Sequence, residues 1–73
     1  MQNSYDENTL TKTQKKVFRI LEKGFARKTG ADKIGMRETT FNTHVRSGYL
    51  RLNVHSLPEA LHLIHEHPDL LRD

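Results

Sequence analysis

Three residues able to recognise the edge of a nucleobase stand close together in mid-chain: Asn42, Thr43 and Arg46, at i, i+1 and i+4. A carboxamide offers a donor and an acceptor side by side and can bond adenine. A guanidinium can reach guanine, and a threonine methyl can contact the methyl of thymine. On a helix this spacing keeps all three on one side. Ser47 adds polar surface beside them. His44, next to the same face, is placed either to donate to a phosphate or to pack at the domain edge. A second cluster, His62, His65 and His67 with Glu66, has the chemistry of metal ligands, and His62 and His65 at i, i+3 can share a helix face. No other cluster supplies the rest of a closed site, so solvated histidines near a helix C-terminus are expected and no metal. Catalysis is not expected either. The chain has no Cys, no glycine-rich phosphate loop, and no Ser or paired carboxylate set beside a His in a plausible cleft.

The elements that must position these residues follow from periodicity and capping. Thr11 and Gln14 match a capping box. Leu10, Gln14, Val17, Phe18, Leu21 and Phe25 then recur at helical spacing, with Lys15, Lys16, Arg19, Glu22 and Lys23 facing away, and Gly24 is the natural stop. This predicts a first helix over about 12–23. A shorter helix over about 27–34 carries only Ala31 and Ile34 as apolar residues, with Gly30 where a core residue would stand, and Gly35-Met36 form a turn. Phe41, Val45, Tyr49 and Leu52 mark one face of a third helix over about 38–52, whose opposite face holds Asn42, Thr43, Arg46 and Ser47. Ser56 and Glu59 form a second capping box with Pro58 in the first turn, and Leu57, Ala60, Leu61 and Ile64 line a fourth helix that ends before Pro68. The expected fold is all-α, a four-helix bundle containing a helix-turn-helix.

Composition agrees with such a small bundle. Seventy-three residues allow one domain with a modest core, since a chain of this size buries only about 60% of its unfolded surface. No apolar run exceeds two residues, which excludes a membrane span, and the polar, acidic start lacks signal-peptide chemistry. The net charge of +3 is unevenly distributed: −2 over residues 1–9, +8 over 10–55 and −3 over 56–73. The basic middle coincides with the helix-turn-helix segment and is either a footprint for a polyanion or a solvated face. Phe18, Phe25, Phe41 and Tyr49 fall on apolar stripes and are expected in the core, not on a stacking platform.

Leu10-Thr11, Val17-Phe18, Leu21, Gly24-Phe25, Lys28, Ala31, Ile34, Met36, Thr40-Phe41, His44-Val45, Tyr49, Leu52, Val54, Ser56 and Glu59-Ala60 follow one another in an ungapped pattern. This set resembles the LuxR-type (GerE-like) C-terminal DNA-binding domain of bacterial regulators, from Leu10 to about Ile64. The resemblance implies four helices, with the third entering the major groove of double-stranded DNA and the fourth often forming a dimer interface. Its base-reading positions fall on Asn42, Thr43 and Arg46. Lys28 matches a phosphate-contacting position, and Thr40, His44 and Arg51 complete the expected phosphate contacts. Leu57, Leu61, Ile64 and Leu70 are the expected interface of a homodimer bound to an inverted repeat, with half-sites about one helical turn apart. No cofactor is implied, and a bacterial cytoplasmic protein, nucleoid-associated when bound to DNA, is expected.

Several positions depart from that pattern. Gly30 and Gly48 stand where a bulky aliphatic residue is usual, Leu50 where a basic one is usual, and Gln14 replaces a Glu while keeping the capping box. Ala26 and Arg37 replace hydroxyl-bearing caps, a change that costs about 1 kcal/mol per helix. Phe25, Phe41 and a reoriented Leu50 are expected to fill the space beside the two glycines. The expected organisation is a flexible tail over 1–9, the domain over 10–66 and a short tail over 67–73, with no sensor domain ahead of it. The alternative reading is a protein–protein module of the same fold, acting on another regulator or on RNA polymerase and the transcription machinery.

Overall fold

The computed structural model describes residues 5–73. Its elements are α1 (Lys12–Glu22), α2 (Arg27–Lys33), α3 (Glu38–Leu52) and α4 (Leu57–Glu66), followed by a 3-10 turn over Pro68–Leu71, with no strand among the described residues. The first capping box forms in both directions: Thr11 Oγ1 accepts from the Gln14 amide at 3.1 Å, and Gln14 Oε1 accepts from the Thr11 amide at 3.0 Å. The second forms in one direction only. Ser56 Oγ accepts from the Glu59 amide at 3.4 Å, but the Glu59 carboxylate takes the His55 amide, at 2.9 Å, in place of that of Ser56.

The turn between α2 and α3 is built on Gly35, whose φ of +68° lets the Met36 amide reach Ala31 O at 3.0 Å and the Gly35 amide reach Asp32 O at 3.2 Å. This doubly bonded ending closes the last carbonyls of α2 and turns the chain within four residues into α3. Asn53, with φ 58°, ends α3 in the same way, the Val54 amide bonding Tyr49 O at 3.0 Å. Asparagine tolerates this left-handed conformation better than other side chains do. α2 and α3 begin without a side-chain cap, because neither Ala26 nor Arg37 makes one.

Leu10, Val17, Phe18, Leu21, Ala31, Phe41, Val45, Leu52, Ala60, Ile64 and Leu70 form the core. The two glycines admit large neighbours, and two of the three residues expected there are elsewhere. A Cβ at Gly48 would stand 2.2 Å from the Phe18 ring, and one at Gly30 would stand 2.6 Å from Ile20 Cγ2 and 3.1 Å from Phe41 Cζ. Phe18, Ile20 and Phe41 therefore fill these spaces. Phe25 is 37% exposed and Leu50 78%. Gly24, at φ +91°, ends α1 before Phe25 can continue its stripe, and the Phe25 ring instead lies 4.5 Å beneath the Lys33 ammonium.

The expected C-terminal tail is part of the fold. Leu70 is fully buried, and the turn that carries it lies against α1 and α4. Lys15 and Arg19, expected to face solvent, instead donate to the carbonyls of Arg72 and Leu71, and Lys15 is only 4% exposed. Arg19 also pairs with Asp73 at 3.0 Å, which lowers the Asp73 pKa, first through that hydrogen bond and then through the Arg19 charge. At the other end, the Tyr5 hydroxyl donates to Leu52 O at 3.4 Å, and its ring packs on His67 at 5.0 Å between centroids. Tyr5 and Thr9 of the expected flexible tail thus contact the bundle, while residues 1–4 of that tail lie outside the described residues.

Candidate nucleic-acid interface

At 100° per residue, α3 divides into three strips. Phe41, Val45, Gly48 and Leu52 are buried against the rest of the bundle. Directly opposite, the exposed ridge runs through Thr39, Thr43, Arg46 and Leu50. One flank holds Asn42 and Tyr49, both half-buried, and the other holds Thr40, His44 and Arg51. The helix is held in this rotation by packing on both α1 and α2.

Each candidate occupies a definite environment. Arg46 is exposed and has no hydrogen-bond or ion-pair partner among the described residues, so its donors are open to a ligand. Thr43 is exposed, and its hydroxyl donates back to Thr39 O at 3.0 Å, leaving the methyl as its group for outward contact. Asn42 is half-buried, and its Oδ1 accepts from Arg27 Nη1 at 3.1 Å, while Arg27 Nη2 donates to the Tyr49 hydroxyl at 3.3 Å. Lys28 is exposed on α2, and Thr40 is exposed near the start of α3. His44 is half-buried on the far flank, where Arg51 donates to Thr9 O at 3.3 Å. Arg27, Asn42, Arg46, Tyr49 and Leu50 line an open groove of about 470 Å³ that continues to Val54 and His55.

Arg27 was not among the candidates. Its partners stand 15 and 22 residues away, and no local pattern couples them. The only sequence signal is negative: a cation at the first position of a helix opposes the helix dipole. The four expected interface residues separate into two classes. Leu57 and Leu61 are half-buried, whereas Ile64 and Leu70 are buried within the chain's own core and cannot meet a second copy without leaving it. His62, His65 and His67 are exposed, and no group of three metal-ligating residues converges among the described residues.

The family model for bacterial regulatory proteins of the luxR family matches residues 8–64, a span that holds the short helix, the four-residue turn and the long helix that follows. The chain belongs to the LuxR family. It matches no curated protein and no solved structure. LuxR-family membership makes this a DNA-binding helix-turn-helix domain of the kind used in transcription regulation, and the family is a regulatory one, not a family of enzymes. No helix among the described residues is long and apolar enough to cross a membrane.

Proposed function

We propose that this LuxR-family chain is a sequence-specific regulator that reads the major groove of double-stranded DNA with α3. The observation that carries this reading is the outer face of α3, where the free guanidinium of Arg46 lies beside Thr43 on an exposed ridge. In the groove, Arg46 serves as a donor fork for guanine and the Thr43 methyl as a contact for thymine. Asn42 reads a purine edge from the flank. Lys28, Thr40, His44 and Arg51 lie on either side of the ridge and supply backbone contacts, which position a protein without specifying sequence. The uncapped first turn of α3 leaves amides for which a phosphate oxygen is a suitable acceptor.

A homodimer on an inverted repeat is part of this proposal, with Leu57 and Leu61 of α4 as the pairing surface and the acidic C-terminal segment kept off the DNA. It would act in the bacterial cytoplasm, nucleoid-associated when bound. Selection of bound sequences from a random duplex pool tests the reading directly. Enrichment of one palindrome with half-sites about one helical turn apart is expected; no enrichment even at low salt would refute it. The 78% exposure of Leu50 favours a second reading, a protein–protein module docking through this helix. That reading gains only if the same selection yields no sequence.

A further inference from the structure

Arg27 occupies a position that does nothing for its own helix. Its charge opposes the dipole at the start of α2, whose first turn has no acidic residue and whose N-cap, Ala26, makes no side-chain bond. What Arg27 does is bridge to α3. One arm of its guanidinium holds Asn42 Oδ1 at 3.1 Å, and the other rests on the Tyr49 hydroxyl at 3.3 Å. Tyr49 is itself set against the fully buried Phe18 ring, 6.1 Å between centroids, so the brace is tied to the core.

A surface carboxamide otherwise turns freely about its terminal torsion and must be ordered when it binds. Held by Arg27, Asn42 turns its oxygen toward α2 and its amino group away, while the oxygen keeps a second lone pair for another donor. We infer that Arg27 is a positioning residue for base recognition: braced on Tyr49, it orients the Asn42 carboxamide before DNA arrives. The inference rests on the reading of α3 as the base-contacting helix.

The test compares Arg27→Lys with wild type on the duplex that selection yields. Lysine keeps the charge but lacks the planar fork needed to hold two acceptors at once. The base pair read by Asn42 is identified as the one whose preference Asn42→Ala abolishes, a loss of about five- to a hundredfold. Arg27→Lys is expected to lower discrimination at that same base pair about three- to tenfold while leaving the salt dependence of binding unchanged. In an Asn42→Ala background it is expected to add less than about twofold, because the two residues act as one unit. Tyr49→Phe, which removes the brace but not the ring, should give a smaller loss at the same base pair. Melting curves followed by helical circular dichroism confirm that each variant is folded.

Full discrimination by Arg27→Lys would overturn the inference alone and leave the reading of α3 standing. So would a loss spread evenly over all sequences on Arg27→Met, with the salt slope falling by about one, since that marks a simple phosphate contact. Failure of the wild-type chain to enrich any sequence would remove both the inference and the reading beneath it.

Discussion

Arg46 and Lys28 are both exposed cations, yet they should differ in what their removal does. Arg46 lies on the ridge of the helix that would enter the groove, so Arg46→Ala is expected to cost about 1–3 kcal/mol at one base position and relax specificity there. Lys28 lies on α2, so Lys28→Ala should weaken binding to every duplex alike and reduce the salt slope by about one. Affinities measured on the selected duplex and a scrambled one at several salt concentrations separate the two. Equal losses on both duplexes for Arg46→Ala would demote it to a phosphate contact. Exposure of Arg46 was legible in the sequence, because helical periodicity alone places it opposite Phe41 and Val45. The hydrogen bond that holds Asn42 was not, because it comes from an arginine of another helix.

The α1–α3 contact is decided by the absence of one side chain. Gly48 lets the fully buried Phe18 ring approach the α3 backbone so closely that a Cβ would sit 2.2 Å from it. Alanine has the better helix propensity by about 1 kcal/mol, but overpacking a rigid ring costs about 1–3 kcal/mol and should win. Gly48→Ala is therefore expected to lower stability, and Phe18→Leu in the same chain to recover part of the loss. Chemical denaturation of the four chains of this cycle tests it; additive effects would exclude the contact as the cause. The uncapped start of α2 predicts the opposite sign. Ala26→Ser supplies the missing acceptor and should add about 1 kcal/mol to stability, read as a higher denaturation midpoint. The missing cap was visible in the sequence, since a cap depends on the residue type at one position. The partner of Gly48 was not, because nothing local relates it to Phe18 across 30 positions.

The molecule as a whole is closed by its C-terminal turn. With Leu70 fully buried, Leu70→Ala should destabilise the chain by about 2–5 kcal/mol. Denaturation midpoints should fall equally at low and high protein concentration; a loss seen only at high concentration would return Leu70 to a subunit interface. Arg19 and Asp73 pin the same turn. Because the Asp73 pKa is lowered from its ordinary 3.8, the stabilisation is present above that value and fades as pH falls through the lower, folded one. Asp73→Asn should thus be slightly less stable than wild type at about pH 6, with the gap closing at about pH 2. Asp73 is exposed, so the difference is small and should shrink further in high salt.

The sequence by itself determined the four helices, the Thr11 capping box, the stop at Gly24, the turn at Gly35 and the polar positions Asn42, Thr43 and Arg46 on the outer side of α3. Each depends on residues within about one or two helical turns of one another, where spacing and side-chain type suffice. Tertiary structure decided which residues meet across the fold. It set Phe18 against Gly48, buried Lys15 beneath a carbonyl 57 residues away, drew Leu70 into the core and joined Arg27 to Asn42. The physical reason is that these contacts arise only when separate helices pack, and helical spacing records which face of a helix is apolar but not which neighbour covers it.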